Sequence, residues 1–437
     1  MKRKNVFVAG LDDFNRRKLE RLPHAADCDF HAALDISDIR GVDRFDMQQL
    51  IDKATGAMRG SGVRPDAVVA FYDFPATDLV PILAERFGVR GPTLTAVLKC
   101  EHKYWSRLEQ QKTAAAHIPR FFAFDPFDER SYSRIPLVPP YWIKPIKSFR
   151  SFLAFRINDE RDYRRALPLL RSKISYVSEP FNYLFEHFLL PFEIGNMRES
   201  CMAESMLSGS MCTVEGYVYR GEVVVYGVVD SVREQDRSSF SRYEYPSSLP
   251  QEVQFRMADI ARRVISGVGL DDSPFNIEFF WDQTFNAIGL LEINPRISQA
   301  HGDLFEKVHG VPHHAIMLDV ALGRKPAPLE YTGPFQRAAH FMLRTFSDGM
   351  VKAVPSADDI GRVAEELPGT EVQLKVKPGD RLQELKGQDS YSFELAVIYL
   401  GGRDQRELLE RYHRCLELLP FEIDSRPSRF MPRVGGT

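Results

Sequence analysis

Apolar and polar positions alternate in blocks from the start of the chain. Asn5-Val-Phe-Val-Ala-Gly10 reads as a buried strand and the charged stretch from Asp13 to Leu22 as the helix after it. Phe30 to Leu34 and Asp66 to Tyr72 read as two more strands, the second followed by a helix from Thr77 to Phe87. Strands alternating with helices predict a small parallel sheet covered by helices. Gly10 ends the first strand, but no GxGxxG follows it, so a plain structural domain is expected rather than a dinucleotide fold.

Glu101 to His117 predicts one helix, ended by Ile118-Pro119, and the proline-rich stretch through Pro140 a connection. Tyr141-Trp-Ile-Lys144 predicts a strand, Lys147 to Arg150 a basic loop, and Asp159 to Leu170 a helix. Thr213 to Arg220 and Glu222 to Ser231 predict paired strands turning at Arg220-Gly221. A helix from Glu252 to Val268 precedes a second hairpin, Phe275 to Trp281 with Ala287 to Asn294. His313 to Leu322 is predicted helical, with Gly323 as its stop. After Pro326-Ala-Pro328 come short strands and turns, with a helix near Gln405 to Leu419, and the polar tail beyond Ser425 is expected to fray.

At roughly 150 residues per domain, 437 residues suggest about three domains or subdomains. Hydrophobic residues at 44% and charged residues at 27% are those of a globular chain, which excludes a mostly disordered or low-complexity protein. Lys plus Arg number 57 against 60 Asp plus Glu, so no global charge draws the chain to nucleic acid or to an anionic membrane. Five cysteines without CxxC spacing argue against a disulfide framework or zinc ribbon and fit a reducing compartment. The basic start leads into an apolar run that stops at Asp12-Asp13, too soon for a signal peptide. No segment approaches the roughly 18 apolar residues of a membrane span. A soluble, cytoplasmic protein is expected.

The second hairpin holds the informative chemistry. Side chains alternate along a strand, so Glu292 and Asn294 point the same way, and pairing about the turn sets Glu278 near Glu292. Two facing carboxylates in an apolar hairpin repel each other, and a divalent cation between them removes the conflict. Two carboxylates and an amide oxygen are hard ligands, suited to Mg²⁺ or Mn²⁺ rather than zinc. Pro295 ends the strand and Arg296 projects beside the site, where it can neutralise transferring phosphoryl charge. The spacing also allows a plainer arrangement, one glutamate exposed and the other paired with Arg296.

Glu278 followed by Glu292-Ile-Asn-Pro-Arg296 resembles the signature of the ATP-grasp superfamily, and Ser298-Gln-Ala-His-Gly302 and Ala321-Leu-Gly323 look like its downstream segments. The chain resembles carboxylate-amine (L-amino-acid) ligases, and more distantly biotin carboxylase and carbamoyl-phosphate synthetase. The resemblance makes Lys103 and Lys144 the two ATP lysines. Ala203-Glu204-Ser-Met-Leu207 resembles the linker that reads adenine through its backbone, here up to Leu207, and the ribose through its acid, Glu204. It makes Glu278, Glu292 and Asn294 the metal ligands and Arg296 the catalytic cation. Lys147-Ser-Phe-Arg-Ser-Phe152 stands where relatives carry a glycine-rich flap whose N–H groups close over phosphates; it has no glycine, and offers Lys147, Arg150, Ser148 and Ser151 instead. In similar enzymes the strand of Glu215 faces the acceptor substrate, with Asp230 and Arg233 on its partner. Ser298 and His301 start a predicted helix, a natural anion site. For each of these the alternative is a surface charge or a packing residue.

The expected fold is α/β (α+β): an ATP-grasp fold with an N-terminal parallel-sheet domain and a small C-terminal α/β subdomain. The expected boundaries are 1–100 for the first domain, 101–200 for the lysines and flap, 201–328 for the metal site, 329–425 for the subdomain and 426–437 for the tail. The resemblance implies a ligase that uses ATP and Mg²⁺ (or Mn²⁺) to convert a carboxylate to an acyl phosphate, which an amine displaces, releasing ADP and phosphate. The partners implied are small-molecule carboxylates and amines, with no nucleic acid and no membrane. Many relatives are dimers, so a homodimer stays open. Two rivals remain: a bicarbonate-dependent carboxylase or carbamoyl-phosphate-type enzyme, and a nucleotide-binding regulator without turnover.

Overall fold

The computed structural model describes residues 3–40, 42, 44–148, 152–188, 194, 197–234, 239–385 and 392–425. The chain opens with β1 (Lys4–Leu11), α1 (Asp13–Glu20), β2 (Cys28–Asp35), α2 (Met47–Gly60), β3 (Ala67–Val69), α3 (Ala76–Phe87), α4 (Leu94–Glu101) and α5 (Lys103–Ala114). It continues through β4 (Phe121–Phe124), α6 (Ser131–Arg134), β5 (Tyr141–Pro145), β6 (Phe155–Ile157), α7 (Glu160–Lys173), α8 (Ser175–His187) and β7 (Cys201–Ser205). Next come β8 (Ser210–Tyr219), β9 (Glu222–Arg233), β10 (Phe240–Tyr245), α9 (Gln251–Val268), β11 (Ser273–Asp282), β12 (Ala287–Asn294), α10 (Gly302–His309) and α11 (His314–Ala321). The last elements are β13 (Arg337–Thr345), β14 (Gly349–Ala353), α12 (Ala357–Glu366), β15 (Glu371–Leu374), β16 (Phe393–Gly402), α13 (Gln405–Leu418) and β17 (Glu422–Ser425).

Two compact units emerge. The first holds the chain up to Gly227, Pro250–Gln299 and His314–Ala327; the second holds Val228–Leu249, Ala300–His313 and the chain from Pro328 onward. Strand β9 begins in the first unit and ends in the second.

Within the first unit, β2, β1 and β3 form the expected parallel sheet. The run from Asn5 to Leu11 is buried throughout because helices cover both faces of such a sheet. An antiparallel sheet, β4-β7-β5-β6, carries Lys144 and Glu204. A third set of strands, β12-β11-β8-β9, carries the glutamate hairpin. The predicted turn at Arg220-Gly221 is present, with φ of 52° and 78° at the two residues, the left-handed pair a tight hairpin needs. Helix α9 buries Val253, Met257, Ile260, Ala261, Val264, Ile265 and Val268 on one face and stops at Gly269. Its Gly267 lets it approach α5 closely, since an added Cβ would lie 2.9 Å from Thr113 Cγ2.

The helix predicted from Glu101 begins two residues later, since Glu101 closes α4. The pattern from Glu101 to His117 reads as continuous, but His102 leaves helical space (φ −82°, ψ 99°) and its Nδ1 caps α5 by accepting from the Trp105 N–H at 3.1 Å. The imidazole thus acts as an N-cap in place of the usual Ser, Asp or Asn, and Lys103 becomes the first residue of its own helix. Burial holds His102 down to about 3, so it stays neutral in this role.

The second unit is built on antiparallel strands in the order β9-β10-β13-β16-β15, with β14 and β17 paired separately. Phe341, Ile398, Leu400, Leu408 and Cys415 form its core with α13. All five cysteines are buried, and none forms a disulfide. No helix among the described residues is long and apolar enough to cross a membrane.

Candidate active site

Strands β11 and β12 pair so that Asn276 faces Asn294 and Glu278 faces Glu292. Four polar side chains of the expected alternation therefore fall at matched positions in a hairpin otherwise made of Phe275, Ile277, Phe279, Leu290 and Ile293. The register slips by one residue at Leu291, and its carbonyl accepts from Arg107 Nη2 at 2.6 Å. Burial, and then the charge of Glu292, push Glu278 up to about 7. Glu292 itself is also raised by burial, but Lys103 and Lys144 outweigh that and hold it below the usual range.

Four cations converge on this hairpin. Lys103 Nζ donates to Glu292 Oε1. Lys144 Nζ lies 2.5 Å from Glu204 Oε2, whose other oxygen accepts from Arg107 Nε at 2.6 Å. Burial alone would raise Glu204, but Arg107 and then Lys144 bring it down to about 2. Arg296 Nη2 donates to Asp73 Oδ2 at 3.1 Å and to Asn294 Oδ1 at 3.3 Å. Asp73 stands on the loop after β3, and its Oδ1 accepts from the Phe74 N–H at 2.7 Å. Opposed by burial, Arg296 and then Lys147 hold Asp73 down to about 2.

The donor set fits a hard divalent cation. No group of three or more His, Cys, Asp and Glu among the described residues is placed to hold a metal ion, so the two glutamates need Asn294 to complete a set. Asn294 is oriented for this: its Nδ2 donates to Asn276 Oδ1 at 3.0 Å, and Asn276 Nδ2 in turn donates to the Arg296 carbonyl at 2.9 Å. The amide oxygen is thereby left on the side of Arg296. Linear reading missed Asn276, although its signal was present two positions before Glu278 on the same strand face. Nothing in the spacing pointed to Asp73, Glu101 or Arg107, which arrive from the loop after β3, the end of α4 and the body of α5.

Glu215 and Leu207 also fall in this unit. Glu215, fully buried on β8, stands opposite Asn276 on β11. The neighbouring Gly216 is needed for the close approach expected there, since an added Cβ would lie 2.2 Å from the Phe275 ring. Leu207 packs over β12, where a Cβ on Gly289 would meet its Cδ2 at 2.6 Å. Ser298 is half-buried past the end of β12.

Other expected residues lie elsewhere or sit differently. Ser151, with Phe149 and Arg150, lies outside the described residues, as does the tail 426–437. Lys147, expected to offer its charge to the flap, turns inward and donates to Glu101 Oε2. Arg233 belongs to the second unit, at the end of β9, with its guanidinium over Phe240. His301 is also in the second unit, buried edge-on to Tyr243. Asp230 accepts from Ser247 Oγ and from the Ser248 N–H and Oγ, so it holds a turn of its own unit. Of the adjacent histidines, His314 hydrogen-bonds Asn15 within the first unit and His313 stacks on Phe305 within the second.

Residues 137–302 match a family model described as an ATP-grasp domain. Among solved structures, an L-amino acid ligase from Bacillus licheniformis aligns with a TM-score of 0.75 at 16% identity, over 97% of this chain and 99% of that one. An N5-carboxyaminoimidazole synthase from Aspergillus clavatus, in complex with ADP and 5-aminoimidazole ribonucleotide, aligns at 0.64 and 15% identity, over 95% and 98%. A biotin carboxylase from Campylobacter jejuni aligns at 0.63 and 13%, over 97% and 93%. No curated protein matches the sequence.

Proposed function

This chain carries an ATP-grasp domain within an ATP-grasp fold, and on that premise we propose that it is an ATP-dependent ligase that activates a carboxylate as an acyl phosphate and joins it to an amine, releasing ADP and phosphate. The observation that carries the reading is the facing pair Glu278–Glu292, with Asn294, Lys103, Lys144 and Arg296 gathered around it. A pair of carboxylates that pushes one member up to about 7 is a poor structural device and a good cation site.

Glu278, Glu292 and Asn294 would hold Mg²⁺ or Mn²⁺, which when bound neutralises charge on the phosphates. Lys103 and Lys144 would lie along the phosphate chain, and Arg107 with Glu204 fixes where the Lys144 ammonium stands. Glu204 and Leu207 would border the nucleoside. Arg296, held by Asp73, would steady the negative oxygens of the acyl phosphate while the amine attacks and phosphate leaves. No covalent nucleophile is required, because phosphoryl transfer depends chiefly on placement and charge. Glu215 is proposed to face the acceptor, with Ser298 as a further acceptor-side residue. Balanced charge and five cysteines outside any disulfide support a cytoplasmic setting.

The test is release of ADP and phosphate from MgATP with pools of amino acids and other small carboxylates. Stimulation by a pair of compounds, lost in Glu292→Gln, is expected. Stimulation by bicarbonate alone would favour a carboxylase, and nucleotide binding without release in any pool would favour a regulator.

A further inference from the structure

Lys147 and Glu101 form an ion pair in which both side chains are 4% exposed. Lys147 lies two residues beyond the end of β5; Glu101 is the last residue of α4. The ammonium also faces two aromatic rings, with centroids 4.7 Å away for Phe74 and 5.2 Å for Phe181. Burial opposes its charge, but Glu101, Asp78 and Asp73 outweigh burial and hold it above the usual lysine range. Lys147 is therefore committed to the interior, where it cannot also serve as a solvent-side phosphate contact.

A second bond joins the same two segments. The Lys103 N–H donates to the Ile146 carbonyl at 3.0 Å. Two successive residues leaving β5 are thus tied to the two residues that flank the His102 cap. One of them, Lys103, starts α5 and reaches Glu292.

Stability alone is a weak reason for such a pair. Removing two charges from water costs as much as their attraction returns, and apolar side chains of the same volume often do as well or better. What an ion pair adds over two methionines is a fixed distance and direction between its ends.

We propose that Glu101 and Lys147 are positioning residues: their buried pair locks the start of α5 to the exit of β5, and so sets Lys103 in place for the phosphate chain of a nucleoside triphosphate. The inference rests on the ligase reading, since it takes the nucleotide as the ligand of Lys103.

The experiment measures affinity for a non-hydrolysable MgATP analogue by calorimetry, with thermal melts, in the full chain. Lys147→Met strands Glu101 and is expected to lower the melting temperature. The double variant Glu101→Met/Lys147→Met is expected to melt as the wild type does, yet to bind the analogue about tenfold more weakly because Lys103 is no longer preplaced. Wild-type affinity in a double variant of normal stability overturns the clasp and leaves the ligase reading untouched. If the double variant melts low, Glu101→Gln takes over the reading, because it keeps an acceptor for Lys147. A loss of about threefold or more in its affinity supports the clasp, and unchanged affinity overturns it. Absence of binding in the wild type overturns the ligase reading and the clasp together.

Discussion

Both units bury charged and titratable side chains, but they treat them differently. In the second unit Glu244, 2% exposed, accepts from Arg242 Nε at 2.9 Å and Arg337 Nη1 at 2.7 Å. His309 sits between the Tyr245 hydroxyl at 2.8 Å and the Glu330 carbonyl at 2.9 Å. Asp230 is held by two serines. Each has its partners on neighbouring strands or turns and stands in no conflict. In the first unit Glu278 faces Glu292, and the carboxylate of fully buried Asp78 has no hydrogen bond among the described residues and is pushed well up by burial and by Glu101. Buried polarity that is satisfied maintains a fold; buried polarity left in conflict is what a ligand can resolve.

The sharpest way to break this contrast is to remove one charge from each unit. Glu292→Gln should lower Mg²⁺-dependent ADP release by more than about a hundredfold, with the melting temperature nearly unchanged. Unaltered release would sink the metal assignment. In the second unit Glu244→Ala should do the reverse, costing about 3 kcal/mol in urea unfolding because two half-buried arginines lose their buried acid. Turnover per folded molecule should stay as it was, and a selective loss of turnover would erase the distinction.

A smaller effect is expected at Asn276. Asn276→Leu frees the Asn294 amide to turn, which should weaken Mn²⁺ binding by about tenfold. Titration followed by electron paramagnetic resonance would read this without any substrate, and undiminished affinity would show that Asn294 needs no orienting partner.

The smallest effects are in the pH dependence of stability, where the two units should pull in opposite directions. Glu278 keeps its proton in the folded chain up to about 7, whereas the unfolded chain releases it near 4.5, so its contribution falls as pH rises between those values. His340 is held down to about 3, chiefly by burial. The unfolded chain takes up that proton near 6.5, so stability is lost as pH falls from there toward 3. At pH 5 to 6 in chelator, Glu278→Gln should make the slope of unfolding free energy against pH more positive and His340→Asn less positive. Each change is at most about 1.4 kcal/mol per pH unit. Slopes that moved together would mean that one of the two groups is placed wrongly.

Much of the fold was legible because its signals are local. The apolar run of β1, the hairpin turn at Arg220-Gly221 and the amphipathic stripe of α9 each follow from neighbours a few residues apart. The break at His102 was not legible, since an imidazole caps a helix only where its ring is buried beside the next turn. In the candidate site, Glu278, Glu292 and Asn294 were readable from strand alternation. Their relation to Asp73, 205 positions or more away in the chain, was not, because Asp73 meets Arg296 only when the loop after β3 is packed against the end of β12.

The sequence by itself therefore determined which polar side chains of the hairpin share a face: period-two alternation decides a strand's faces without reference to any other segment. Only the tertiary structure decided what each charge is for. Lys147 and Lys144 are three residues apart and equally basic on paper. One is caged by Glu101, Asp78 and Asp73, and the other is held beside Glu204 and the glutamate hairpin. A charge takes its role from the low-dielectric neighbours that surround it, and those neighbours come from distant parts of the chain.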